Sequence, residues 1–288
     1  MTSDNNPPRW SQLRKIRREL QARMPMDKFF DTVLEGCFRV ARDRDNPLRG
    51  NFVASGLREA IGHVLHSLAP DEAVRACVWF VQAKDTKTVT RQQRASYIVK
   101  AGLPDDFVSD TLRIDVRDYT DPVIEVMDGL NKATHVRAET ILSKGRKIRV
   151  MIQDVLLGLD QLLQAAVENR EAITHAVADV MQEAVFDKLI SETIDELDEL
   201  STHTTVDGHN INSVSVTKLD SHEISYRVEG EVEVELQYGS SSDIRNDIGL
   251  VQDDSYPYVV TVTCAVARPM AIRADNLNIS VDNRSFYE

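Results

Sequence analysis

The sequence predicts an α+β fold, and three observations carry that prediction. Apolar residues recur at helical spacing through roughly the first 200 residues. From 146 to 200 there is no proline and one glycine, Gly158, while Ile148, Ile152, Val155, Leu159 and Leu162 continue the stripe. At "STHTTVDGHN" the period shifts from 3.6 to 2. These divide the chain into a basic N-terminal segment (1–24), a helical domain (25–145), a long helix or αα-hairpin (146–200) and an antiparallel β-domain (201–288).

Each element follows from local signals. Residues 1–8 read as a disordered leader. "RWSQLRKIRRELQAR" is helix-prone, with Arg9, Arg14, Lys15, Arg17, Arg18 and Arg23 set against Glu19. Such a patch either holds phosphate or an acidic surface, or is a solvated helix face. Phe29–Ala41 is the next helix. Asn46-Pro47 opens another, carrying "LREAIGHVLHSLAP", which stops at Ala69-Pro70. Asp71 is the expected N-cap of "DEAVRACVWFV", and Thr90 that of "TRQQRASYIVKAG", which Gly102 closes. "PDDFVSDTL" and "YTDPVIEVMDGLNKATHV" follow as helices. The 146–200 stretch is one very long helix, or a hairpin breaking near Asn169-Arg170; its apolar stripe must pack on the preceding helices or on a second subunit. "SVSVTKL", "EISYRVEGEVEVELQY", "YVVTVTCAVA" and "LNISV" alternate and are rich in β-branched residues, as antiparallel strands are.

Composition narrows the function classes. The chain has 288 residues, 42% hydrophobic and 28% charged, a globular composition with room for one large or two modest cores. The net charge of -12 means that any grip on nucleic acid is local. Cys37, Cys77 and Cys264 are odd in number and far apart, which fits a reducing compartment and neither a disulfide scaffold nor a zinc knuckle. No apolar run approaches the roughly 20 residues of a membrane helix, and "MTSDNNPPRW" is not patterned as a signal peptide. A cytoplasmic protein without membrane contact and without cofactor is expected.

Two constellations offer acid–base chemistry. In the helix containing Leu57–Pro70, Leu57, Ile61, Val64, Leu65 and Leu68 form the core face. Glu59, His63 and His66 fall within about 60° of one another on the opposite side. Arg58 lies about 140° from His63, so the two do not act as a pair within one regular helix. Metal-free RNA cleavage needs a base for the 2′-hydroxyl and a cation for the phosphorane, roles suited to His and Arg; a solvated stripe is the alternative. In "NKATHVRAE", a continuing helix would align Lys132, His135 and Glu139 and point Arg137 elsewhere, and a structural histidine is the alternative.

The β-domain offers carboxylates. In "VEGEVEVELQYG", Glu229, Glu231, Glu233 and Glu235 share one strand face about 7 Å apart, either as an open solvated face or as cation ligands. Glu233 and Glu235 are the weak metal alternative, set beside the acid-rich magnesium sites of restriction-type nucleases. "GSSSDIRNDIG" presents Asp243 and Arg245 for a ligand, or carries capping aspartates in a hairpin loop. His203, Asp207 and His209 lack a third nitrogen or sulfur ligand nearby in sequence. There is no phosphate loop, GxGxxG, GxSxG or HExxH motif.

"NPLRGNFVASGLREAIGHVLHSLAPDEAVRACVWF", "TRQQRASYIVKAGLPDDFV" and "GLNKATHVRAET", with "ETIDELDELSTHTTV" and "VELQYGSSSDIRNDIG…SYPY", resemble the predicted nucleases found beside prokaryotic PIWI-type genes, over most of residues 46–260. The helical half also resembles the HEPN four-helix domains, whose ribonucleases carry an Arg-x4–6-His motif and dimerise so that two motifs face. The resemblance implies a defence-associated nuclease, more inclined to RNA, with Arg58, His63, Lys132 and His135 as catalytic candidates. Glu59, His66, Arg137, Asp243 and Arg245 are the binding candidates. Arg58 and His63 match the HEPN spacing but on the earlier helix; Lys132 stands where arginine would fall before His135, at a shorter gap. A homodimer and a defence-system partner protein are the expected associations. The competing class is a non-catalytic dimerising, sensing or binding protein whose β-domain recognises a ligand or partner.

Overall fold

The computed structural model describes residues 7–24 and 27–287. The helical part comprises α1 (Trp10–Arg23), α2 (Lys28–Val40), α3 (Arg49–Leu68), α4 (Asp71–Arg75), α5 (Arg91–Lys100), α6 (Val116–Thr134) and α7 (Gly145–Ser191). A short α8 (Asp195–Asp198) precedes β1 (His203–Leu219) and β2 (Glu223–Tyr238). Then come α9 (Ser241–Arg245), β3 (Leu250–Ala265) and β4 (Leu277–Val281). The strands form one antiparallel sheet in the order β1-β2-β3-β4.

The chain divides into two compact units, residues 1–101 with 108–169, and residues 102–107 with 170–288. In the helical unit α2 packs on α3, and α3 and α5 pack on α6. The core takes Leu57, Ala60, Ile61, Val64 and Leu65 from α3, as its periodicity dictates, and Ile148, Ile152, Val155, Leu159 and Leu162 from α7. α2 and α3 approach closely at Gly56, where a Cβ would lie 2.5 Å from Cys37 Sγ. Burial there raises the Cys37 thiol to about 11, so it is no thiolate nucleophile at neutral pH.

In the second unit, alternation along β2 buries Ile224, Tyr226, Val228, Val232, Val234 and Leu236 on one face and leaves the intervening side chains at or near the surface. β1 pairs with β2 through three register shifts, between Val206 and Gly208, Ile211 and Ser213, and Val216 and Lys218. β2 and β4 occupy the stretches their alternation marks, whereas β1 and β3 begin earlier, at His203 and Leu250.

The structure chooses between some expectations and corrects others. Of the two readings of 146–200 it takes the single long helix, which runs to Ser191 without a break at Asn169-Arg170. Buried Asn169 instead donates from Nδ2 to the Val99 carbonyl, 3.0 Å, so a polar residue in mid-helix is absorbed by a side-chain bond. An 18-residue window of α7 is apolar enough, by length and composition, to cross a membrane, contrary to the expectation of no such run; half of that window is buried inside the fold. Pro70 is the residue preceding α4, and Asp71 is its first residue, with a carboxylate bound by the buried Arg94 guanidinium. "PDDFVSDTL" gives only one π-helical turn, Phe107–Thr111. Of the proposed leader, residues 1–6 lie outside the described residues. Pro8 is buried and accepts a hydrogen bond from Arg149 Nε at 2.8 Å.

Candidate functional site

His63 lies on the wetter side of α3, and a residue 36 positions earlier orients it. Asp27 precedes α2 in extended backbone conformation and caps it, accepting from the Phe30 amide at 3.0 Å. Its other carboxylate oxygen accepts from His63 Nε2 at 2.6 Å. The Phe30 amide holds the Asp27 carboxyl below its ordinary range, and the hydrogen bond and charge of His63 add to this, while burial works against them. The Phe29 ring packs on the imidazole with centroids 4.6 Å apart, and the Ser67 hydroxyl lies 3.5 Å from Nε2. With Nε2–H committed to Asp27, Nδ1 carries the free lone pair, and no hydrogen bond reaches it among the described residues. The side chain is 33% exposed, so a substrate proton has access. This is a carboxylate-oriented imidazole, the arrangement a general base requires.

The other candidates on α3 are placed differently. Arg58 pairs with Glu59, Nη2 to Oε1 at 2.6 Å, and His66 is exposed. α3 is one helix through Arg58 and His63, so they remain on different sides of it.

Lys132, His135, Arg137 and Glu139 sit at another end of the unit. α6 stops at Thr134, and His135 follows in extended conformation, so no helix aligns His135 with Glu139. The segment returns toward α3, where buried Asn51 clips it. Asn51 Nδ2 donates to the carbonyls of Ala133 (2.8 Å) and Thr140 (2.9 Å), and the Leu142 amide donates to Asn51 Oδ1 (3.0 Å). The Gly50 amide donates to the Leu142 carbonyl at 3.0 Å, and a Cβ at Gly50 would collide with that same oxygen. His63 lies twelve residues beyond Asn51, about 18 Å of helix rise. Within one chain, therefore, α3 carries His63 toward one end and holds the His135 segment at the other.

Next to this segment α6 and α7 flank an open groove of about 770 Å³, with Val126, Leu130 and Met151 among its apolar lining and Lys144 and Lys147 among its charged lining. Asp154 also lines it, and burial raises its carboxyl above the ordinary value.

In the β-unit, Glu229, Glu231 and Glu233 are exposed and Glu235 is half-buried; among the described residues a basic side chain engages only Glu229, Arg227 at 3.0 Å. Among the described residues no three His, Cys, Asp or Glu side chains come together as metal ligands, so Glu233 and Glu235 stand without a third ligand. Ser240 caps α9, and Asp243 completes the capping box by accepting from the Ser240 hydroxyl and amide, which hold its carboxyl below the ordinary value; Arg245 donates to the Ser241 carbonyl.

His209, singled out only for its sequence neighbours His203 and Asp207, is built into a different network. Its Nε2 donates to the Gln182 carbonyl (3.1 Å), and the Tyr258 hydroxyl donates to Nδ1 (2.8 Å). Phe186 stacks on the ring at 5.8 Å. Burial lowers the His209 pKa, against the Gln182 carbonyl, and so disfavours the charged ring. Tyr258 reaches across β2 at Gly230, where a Cβ would lie 2.5 Å from Tyr258 Cζ. The glycine between Glu229 and Glu231 was the one sequence signal of that crossing.

Residues 21–159 match a family model described as a predicted pPIWI-associating nuclease, and residues 166–287 match a second model of the same description. The His63–Asp27 pair and the His135 segment fall in the first match, the acidic strand and His209 in the second. No curated protein and no solved structure matches the chain.

Proposed function

The chain belongs to the predicted pPIWI-associating nucleases, and from that premise we propose that it is a metal-independent ribonuclease of a prokaryotic defence system. The carrying observation is the His63–Asp27 pair: an exposed imidazole fixed through Nε2 at 2.6 Å, with Nδ1 open. His63 Nδ1 takes the 2′-hydroxyl proton, the 2′-oxygen bonds to phosphorus, and the P–O5′ bond breaks as the 5′-oxygen takes a proton from water, leaving a 2′,3′-cyclic phosphate and a 5′-hydroxyl. Arg58 supplies the cation for the phosphorane in trans, from a second copy whose α3 faces the first, since within one helix it points away from His63. The reading thus includes a homodimer acting in the cytoplasm, with a defence-system partner, and leaves His135 and Lys132 to substrate contact.

The test is RNA and DNA cleavage with and without EDTA by wild type, His63→Ala, Arg58→Ala and Glu233→Ala/Glu235→Ala. The expected result is EDTA-resistant RNA cleavage that falls at least about 100-fold in His63→Ala, the range general-base catalysis spans. EDTA-sensitive cleavage lost with the glutamates would move the centre to the sheet. Absence of cleavage by wild type, also with its partner present, would leave the binding or sensing class.

A further inference from the structure

The basic residues around the α6–α7 connection are the least expected charges in this chain. Between residues 132 and 149 stand Lys132, Arg137, Lys144, Arg146, Lys147 and Arg149 against a single acid, Glu139, in a protein of net charge -12. Lys132, Arg137, Lys144 and Lys147 are exposed, and no carboxylate lies within 4.0 Å of them among the described residues. By contrast, the basic helix α1 spends much of its charge internally: Arg17 binds Glu35, Arg23 binds Asp160 and Lys15 binds Glu19. Three of the connection's cations also fall in the first turns of α7, which holds no acidic residue there; positive charge at a helix N-terminus opposes the macrodipole and costs stability. Exposed charges with no carboxylate beside them among the described residues, as at Lys132, Arg137, Lys144 and Lys147, are available for an external anion.

The segment is held in place as well as charged. Asn51 fixes it at Ala133, Thr140 and Leu142, and Arg49 donates from Nη2 to the Ser143 carbonyl at 2.8 Å. Cations on a fixed connection lose less freedom on binding than cations on a loose one.

We infer that this connection is a phosphate-gripping shelf for a nucleic-acid strand, made by Lys132, Arg137, Lys144 and Lys147 with His135 among them. The inference rests on the nuclease reading for the kind of anion, and it places the grip away from the chemistry, about 18 Å along α3 from His63. No aromatic ring lines the adjacent groove, so the shelf binds backbone phosphates and is indifferent to base sequence.

The experiment measures binding of a fluorescent 20-nucleotide RNA and its DNA counterpart by anisotropy, in EDTA, with the His63→Ala protein so that cleavage does not interfere. Four engaged cations on a single strand give a log–log salt slope of about -2.8, an affinity loss of about 50-fold between 50 and 200 mM salt. Lys132→Ala/Arg137→Ala/Lys144→Ala/Lys147→Ala should flatten that slope and weaken binding at least about tenfold at low salt. Arg14→Ala/Lys15→Ala/Arg18→Ala on α1 should change neither. All seven substituted side chains are exposed, and thermal melts serve as the check that each variant folds. An unchanged slope in the shelf variant, loss in the α1 variant, or equally tight binding of polyglutamate would overturn the inference. The two readings fail separately. Shelf-dependent binding with no cleavage by wild type removes the enzyme and keeps the shelf; cleavage unaffected by the four substitutions does the reverse.

Discussion

His63 and His209 are both partly buried, both touch a phenylalanine, and both bond through Nε2, yet they are prepared for opposite behaviour. His63 donates to a carboxylate through Nε2 and keeps Nδ1 open, so an external proton donor can reach that nitrogen. His209 donates to a backbone carbonyl and has Nδ1 filled by a tyrosine hydroxyl, so gaining a proton meets a desolvated and already satisfied site. The first leaves a nitrogen open to an external partner, whereas the second ties helix to sheet within its unit. Neither residue's type nor its spacing distinguishes them; the partner of each nitrogen does.

Three measurements sharpen or break that contrast. The largest effect is expected from Gly230→Ala, which forces Tyr258 off His209: about 2–3 kcal/mol of overpacking strain. Both tryptophans, Trp10 and Trp79, belong to the helical unit. Faster hydrogen exchange in β2 and β3 without a change in tryptophan fluorescence would confine the damage to the sheet. Retained exchange protection would mean that the Tyr258–His209 bond holds nothing.

Asp27→Asn comes next. Asparagine caps a helix about as well as aspartate, so stability should change by only a few tenths of a kcal/mol. RNA cleavage should fall at least about tenfold, which is about 1.4 kcal/mol of lost orientation and charge. Activity equal to wild type would reduce the pair to a structural cap.

The smallest effect is a pH dependence. His209 has its pKa lowered from the ordinary 6.5, so below that value the unfolded chain binds the proton first. The stability it contributes is present above pH 6.5 and is lost as pH falls from there through the folded value. Urea unfolding of the sheet at pH 7.5 and 5.5 should show the drop, and His209→Gln should flatten it. An equal slope in the variant would assign the titration to another group.

Much of this architecture was legible because it depends on periodicity. The run "EISYRVEGEVEVELQY" is β2 residue for residue, "LNISV" is β4, and Thr90 caps α5 where its position before "RQQR" requires. The candidate site was legible only in half. The α3 pattern separates His63 from Arg58 by helix geometry alone, but nothing between Asp27 and His63 announces that a helix cap will also hold an imidazole. The same holds for Asn51, whose three bonds reach segments 82 to 91 residues away. Such contacts depend on how helices cross, which single-sequence periodicity does not encode. The expectation that α6 continues through His135 failed for this reason: tertiary bonds to Asn51 draw the chain out of the helix.

The register shifts of β1 have a consequence for life at high protein concentration. β1 is seventeen residues long and lies at one margin of the sheet, whereas β4 at the other margin has five. A straight margin of that length offers a row of free amides and carbonyls on which a foreign strand can crystallise. Asp207, Asn212 and Thr217 each fall outside the pairing with β2, at intervals of five residues. Every such insertion bends the strand and tightens its twist, so no long flat run is exposed to a passing chain. The sheet carries its own stop signal, written as three surplus polar residues.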